Sequence, residues 1–394
     1  MTETGKLNSV QFYFPTKLIF KENAVNQVGS EASDLRKKAL LVTGRKAMKK
    51  LGVTAKVKEL LETSGIEVIT YEEVEPEVSV ETVDKGGQLA SSQGCDLIVG
   101  LGGGSVLDAC KGISLVAAQG CSIEIYLEGG EKRGHPLGSN VLPIIAMPTT
   151  SGTGSEVTPY ALFTDRKERK KKVLADSALY PKRAIIDPVL MMGMSPRLTA
   201  ITGIDALAHA VESYISRRAN TLSDMYAREA ILLITKNLRI CVADRKDKES
   251  QGSMGWASTL AGVANSQVAT VAGHAIAVSF GAYFDISHGM AVGFFLPHVL
   301  NLNRLSSPEK LADIAVMFEE NLKKLSLLDR AKKSVEACQN FIEGVGLPLH
   351  FERKVGRDVI MRIAKDAFTK PAMMNNPNSL ELDDVVTVIQ RVLV

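Results

Sequence analysis

With 394 residues, 45% hydrophobic and 23% charged, the chain has the balance of a globular enzyme, and its length predicts roughly two domains of about 150–200 residues each. A net charge of +3, dispersed along the chain, argues against a nucleic-acid partner, and the basic run DRKERKKK (Asp165 to Lys172) reads as a solvated surface loop. No secretory signal and no membrane-length apolar run is visible. The scattered cysteines Cys95, Cys110, Cys121, Cys241 and Cys338 form no CxxC pair, which predicts reduced thiols filling the core of a cytoplasmic protein.

In chain order, KALLVTG (38–44), IEVITYEEV (66–74), CDLIVGLGGG (95–104), VLPIIAMPTT (141–150) and RAIIDP (183–188) read as strands. Residues 47–65 and 80–94 between them carry helical spacing and end at glycine. This alternation predicts a doubly wound parallel sheet with ligands at the carboxyl ends of its strands. From Pro196 onward the pattern is of long helices, such as 197–216 and 221–245. The expected fold class is therefore α/β plus all-α, with an α/β domain over 1–193, a helical domain over 194–394, and a ligand cleft between them.

Two loops invite a dinucleotide. The third strand runs into Gly102, Gly103, Gly104 and Ser105 before a helix bearing Asp108. Glycines there let the backbone approach an anion, and the helix N-terminus offers free amides. The dinucleotide fingerprint lacks its last glycine, so this loop alone also fits a simple tight turn. The fourth strand leads into MPTTSGTGSEVTP, where Thr149, Thr150 and Thr153 cluster with two serines and two glycines. One dinucleotide accounts for both loops better than two unrelated turns.

In the helical half, GIDALAHAVESY places Asp205 and His209 four residues apart, on one helix face. So short a motif also fits an ordinary aspartate beside a core histidine. His274 and His288, two of only six histidines in the chain, would complete a site of one carboxylate and three imidazoles. Such a set suits Fe(II) or Zn(II), and the absence of thiolates argues against a structural zinc cage.

These segments together resemble the iron-containing (group III) alcohol dehydrogenases. The resemblance rests on GGGSVLD, PTTSGTGSEVT, GIDALAHAVE, the spacing of His274 and His288, LPHVL at 296–300 and NNPN near the C-terminus. It implies an N-terminal dinucleotide-binding domain, a helical metal-binding domain, and hydride transfer between a nicotinamide and a small alcohol or aldehyde. It further implies Asp205, His209, His274 and His288 as ligands of Fe(2+), with Zn(2+) as the alternative. Gly102, Gly103, Gly104 and Ser105 would hold the pyrophosphate, and Thr149, Thr150 and Thr153 would line the nicotinamide side. A homodimer or higher homo-oligomer is implied as well.

Two positions sharpen that expectation. Where NAD-preferring relatives often carry an acid, this chain has Gly44, followed by Arg45 and Lys46, which leaves room and positive charge for a 2′-phosphate and favours NADP(H) over NAD(H). Many relatives also have a histidine four residues after His274, where this chain has Val278 beside Ser279. General acid–base assistance is worth about 10²- to 10⁴-fold in rate, so the proton needs another exit. Competing readings are a hydroxyacid-oxoacid transhydrogenase with the same metal site, a dehydroquinate synthase-like cyclase, and a scaffold without catalysis. Arg197, Lys370 and Asn378 are candidates to lie near the cleft.

Overall fold

The structure is a computed structural model that describes residues 10–138, 140–166, 168 and 170–394. Eight strands are described among them. β1 (Lys17–Phe20), β2 (Lys38–Gly44), β3 (Glu67–Val74), β4 (Leu97–Gly102), β5 (Ile144–Pro148) and β8 (Arg183–Ile186) form a parallel sheet in the order β1-β8-β5-β4-β2-β3. β6 (Tyr160–Asp165) and β7 (Lys170–Ala175) form a separate antiparallel hairpin.

Strand alternation explains why both sheet faces are covered. Leu40 and Val42 of β2 belong to one apolar cluster, while Ala39 and Leu41 belong to another on the opposite face. The covering helices are α1 (Val28–Ser33), α2 (Ala47–Lys50), α3 (Val53–Thr63), α4 (Val80–Ser92) and α5 (Gly104–Gln119). Of these, α5 packs so tightly on β4 that a Cβ at Gly102 would stand 2.4 Å from Val106 Cγ2.

After α6 (Pro188–Met191) the chain is helical: α7 (Pro196–Ile215), α8 (Thr221–Ala243), α9 (Lys248–Val268), α10 (Ala272–Phe284), α11 (His288–Asn303), α12 (Pro308–Phe318), α13 (Leu327–Gly344), α14 (Arg357–Phe368) and α15 (Leu382–Val392). Their apolar faces build one large core around α7, whose residues from Gly203 to Ile215 are all buried. No helix among the described residues is long and apolar enough to cross a membrane.

Several local expectations needed correcting. The helix expected over 47–65 is two helices, because Gly52 adopts a left-handed φ of 73° at the start of α3. The edge strand β1 and the hairpin β6–β7 were not among the expected strands: β1, KLIF, is only four residues long, and β7, KKKVLA, opens with three lysines, which hides its pairing with β6. The basic run expected to be a solvated loop is partly inside: Lys171 and Lys172 lie on β7 and are only 5% and 4% exposed. Carboxylates permit this burial, with Lys171 paired to Glu77 at 2.5 Å and Lys172 to Asp165 at 2.8 Å.

The two halves meet without slack at one point. A Cβ on Gly154, in the loop after β5, would stand 2.6 Å from the Cα of Gly262 on α9, and one on Gly262 would stand 2.8 Å from the Gly154 carbonyl oxygen. Only glycine at both positions allows the backbones to touch.

Candidate active site

The two loops after β4 and β5 lie face to face. Thr149 N–H donates to the Gly102 carbonyl at 3.0 Å. A Cβ at Gly103 would meet Thr150 Oγ1 at 3.2 Å, and one at Gly104 would meet Thr153 Cγ2 at 2.5 Å. Gly103, Gly104, Ser105, Thr150 and Thr153 are half-exposed, whereas Gly102 and Thr149 are buried. Gly103 caps α5 in an extended conformation without a side-chain partner for the first amides, which leaves them free to face an anion. The sheet brings Gly44, at the end of β2, onto the same edge as Gly102. A Cβ there would meet nothing closer than 3.6 Å.

Arg45 is less free than its sequence suggested. Its Nε donates to the Glu73 carbonyl at 3.0 Å and its guanidinium lies 3.7 Å from Glu75, which also binds Arg166 at 3.1 Å. Glu75 accepts further bonds from Ser79 and Thr82. Burial raises the Glu75 pKa, but these hydroxyl and amide donors outweigh it and hold the carboxyl below its ordinary value.

Beneath the loops lies a network that the sequence reading overlooked. Lys111, on the apolar helix α5, is fully buried and donates to Ser155 Oγ (2.7 Å), Thr158 Oγ1 (3.2 Å) and the Tyr160 carbonyl (2.5 Å). Asp108, one turn earlier, accepts from Ser155 Oγ and from Leu162 N–H. Burial lowers the Lys111 pKa to about 8 and raises that of Asp108. A lysine inside an otherwise apolar helix, three residues after an aspartate, was the available signal.

The second cluster sits where α7, α10 and α11 converge. Asp205, His209, His274 and His288 each offer one ligand atom, all within 4.8 Å of one another. Asp205 Oδ1 lies 3.8 Å from His274 Nε2 and 3.6 Å from His288 Nε2. The rings of His209 and His274 are 4.5 Å apart, and those of His274 and His288 are 5.3 Å apart. Asp205 Oδ1, His209 Nδ1, His274 Nε2 and His288 Nδ1 are buried and have no hydrogen-bond partner. Buried polar atoms are rarely left so, and a cation among the four converging ligand atoms would supply the partner that Asp205 Oδ1 and His274 Nε2, which face each other, otherwise lack. The residues therefore fit a divalent ion with nitrogen and oxygen ligands.

The electrostatics agree with that fit. Burial pushes the Asp205 carboxyl up to about 6, partly offset by His274. Burial and neighbouring positive charge hold His209 and His288 well below the ordinary imidazole value, so both are neutral near pH 7. His274 differs: burial disfavours its charge, but Glu212 outweighs this and raises its pKa. Glu212, fully buried, accepts from Val271 N–H at 2.8 Å and His274 N–H at 3.3 Å, and bonds His274 Nδ1 at 2.8 Å. That contact fixes a proton on Nδ1 and leaves Nε2 free as an acceptor. Glu212 was visible as a polar residue three places after His209 on a buried helix, yet sequence reasoning gave it no role.

Other candidates are placed differently. Val278 is buried, and Ser279 Oγ turns to Asp366 at 2.5 Å. Lys370 lies 3.4 Å from Asp366 and 3.9 Å from Glu128. Arg197 is exposed in the first turn of α7. Asn378 is structural: its N–H bonds Asn303 Oδ1, and Asn376 and Asn303 bond each other.

Comparison with known proteins follows the same division. The profile of iron-containing alcohol dehydrogenases matches residues 15–188, and that of the C-terminal region of the Fe-containing alcohol dehydrogenase family matches 199–393. A 1,3-propanediol dehydrogenase of Klebsiella pneumoniae is 40% identical over 342 residues, covering 86% of this chain and 87% of that protein. An NAD-dependent methanol dehydrogenase of Bacillus methanolicus is 32% identical, covering 97% and 99%. The crystal structure of an archaeal halo-thermophilic alcohol dehydrogenase from a Red Sea brine pool superposes with a TM-score of 0.92 at 31% identity, covering 99% of this chain and 100% of that one.

Proposed function

Because the chain belongs to the iron-containing alcohol dehydrogenase family, we propose that Asp205, His209, His274 and His288 hold one divalent ion, Fe(II) in preference to Zn(II), beside a nicotinamide site formed by the two glycine loops. The chain is an alcohol and aldehyde oxidoreductase. The observation that carries the ligand assignment is the convergence of four ligand atoms within 4.8 Å, with Asp205 Oδ1 and His274 Nε2 buried and unpaired. When bound, the ion supplies Lewis-acid polarisation of a substrate oxygen and the nicotinamide supplies or accepts the hydride.

The chain's own residues do the rest. Neutral His209 and His288 need lose no proton to act as ligands, and Glu212 holds His274 with Nε2 toward the cluster. Gly102, Gly103, Gly104 and Ser105 take the pyrophosphate at the α5 N-terminus, with Thr149, Thr150 and Thr153 along the nicotinamide side. Val278 brings no titratable group, so the alcohol proton leaves by another route.

NADP(H) is favoured over NAD(H) on two grounds. Gly44 leaves its face open, and Arg45 and Arg166 share the single carboxylate of Glu75, leaving net positive charge. The substrate is a small uncharged alcohol or aldehyde, because Lys171 is neutralised by Glu77 and Lys370 by Asp366 and Glu128. We place the division of the chain at residue 193, close to where the two family matches part. A homodimer or higher homo-oligomer fits the open edge of β1, where Phe20 is exposed. A cytoplasmic setting fits the five free thiols.

The test is reconstitution of metal-free protein with Fe(II) or Zn(II), followed by nicotinamide absorbance with short alcohols and aldehydes. Ion-dependent turnover of free nicotinamide is expected, with the higher kcat/KM for NADP(H), and Gly44→Asp should reverse that preference. Turnover without exchange of free nicotinamide would establish the transhydrogenase instead.

A further inference from the structure

Glu77 occupies a conspicuous place between the two halves. It is one of four non-glycine residues with positive φ among the described residues, at 54°. Such a conformation is strained for most side chains and persists where surrounding contacts over-determine it. Three contacts do so here. Its N–H donates to Ser105 Oγ at 3.0 Å, in the glycine loop. Its Oε1 accepts from the backbone N–H of His288 at 3.2 Å. Its Oε2 lies 2.5 Å from Lys171 Nζ on β7.

The second contact is an N-cap delivered from a distance. Ser287, at the N-cap position of α11, makes no side-chain capping bond, so the Glu77 carboxylate satisfies a first-turn amide and meets the positive end of the helix dipole. The residue whose N–H it holds is His288 itself. The third contact has an electrostatic consequence. Lys171 and Glu77 both act on Asp205 from across the cleft, with opposite signs. The pair as a whole adds almost no net charge, whereas a bare Lys171 ammonium would repel a divalent ion.

We propose that Glu77 is a positioning residue of the metal site: by neutralising Lys171 and clamping the first amide of α11, it sets the affinity of the Asp205, His209, His274 and His288 cluster for its ion. This rests on the ligand assignment above. It also makes the metal site dependent on the segment that binds Ser105, so the cofactor loop and the metal cluster share one anchor.

The experiment is titration of metal-free protein with Fe(II) or Zn(II) against a competing chelator, with thermal unfolding of the metal-free forms in parallel. Glu77→Gln can keep the bond to His288 but removes the charge, and should weaken ion affinity about tenfold at low salt. Adding Lys171→Met should restore it to within about twofold of the original protein, by the same charge argument. Glu77→Asn suits a left-handed backbone but is too short to reach α11; combined with Lys171→Met, so that no buried lysine is left unpaired, it should hold Tm while still weakening the ion. Unchanged affinity in Glu77→Gln, a loss that Lys171→Met does not reverse, or parallel loss of Tm and affinity in Glu77→Asn with Lys171→Met would overturn the proposal. If the original protein binds no ion, or His288→Ala binds as well as it does, the ligand assignment fails and this inference with it.

Discussion

Replacing Glu212 with glutamine tests whether the metal cluster is tuned from behind. The change is nearly isosteric and leaves one oxygen to accept from the amides of Val271 and His274, which lie 2.8 and 3.3 Å from Oε2. The other position, 2.8 Å from His274 Nδ1, becomes an amide nitrogen that donates. His274 Nδ1 must then accept, so the ring proton moves to Nε2, the atom facing Asp205. A protonated Nε2 cannot ligate. Outer carboxylate partners of this kind are worth about 10- to 100-fold in metal affinity, which is about 1.4–2.7 kcal/mol. Exchanging a charged acceptor for a neutral one should also lower the stability of the metal-free protein by about 1–2 kcal/mol. Chelator competition reads the first effect and urea unfolding the second. Unchanged ion affinity in Glu212→Gln would show that the tautomer of His274 is set elsewhere and refute the argument.

Gly104→Ala should drive a methyl into Thr153, only 2.5 Å away. It should weaken nicotinamide binding by about 1–3 kcal/mol, read as a raised KM for the cofactor that Thr153→Ser partly relieves. Lys111→Met strips three acceptors of their donor and leaves the Asp108 carboxylate without its cation, held only by Ser155 Oγ and Leu162 N–H; a loss of about 3–5 kcal/mol in urea unfolding is expected, and less than about 1 kcal/mol would contradict it. Glu31, on α1, joins Lys17 of β1 to Arg183 of β8 at 2.6 and 2.8 Å. Burial opposes its charge, but the two cations win and lower its pKa. A depressed carboxyl stabilises the fold above its unfolded pKa and ceases to do so as pH falls through its folded value. Glu31→Gln should therefore cost about 1 kcal/mol near neutrality, discounted for the exposed Lys17, and nothing once both forms are protonated in acid. An equal cost at both extremes would mean the loss is one of packing.

How legible the molecule was depended on where its information lay. The central strands announced themselves because both faces are buried, which forces continuous apolar runs such as Leu97 to Val99. β1 and β7 did not, since one is an edge and the other carries lysines whose burial depends on Glu77 and Asp165. Asp205 and His209 could be paired from spacing on one helix, whereas His274 and His288 could be offered to them only as scarce histidines of the same helical half; it was the resemblance, not spacing, that implied all four as one ligand set. Glu212 and Lys111 have ordinary neighbours in sequence; their meaning comes from partners 59 and 44 residues away.

The contact of Gly154 with Gly262 bears on motion. Two backbones that touch cannot slide across each other, and a loop bound there cannot lift away without breaking the buried bond from Thr259 Oγ1 to Glu156 Oε1 nearby. The threonine loop is thereby pinned to α9 of the helical half, and the hairpin is tied to the same helix through the bond from Tyr160 Oη to the Ser266 carbonyl. Any side chain larger than glycine at either contact position would have to wedge the two halves apart.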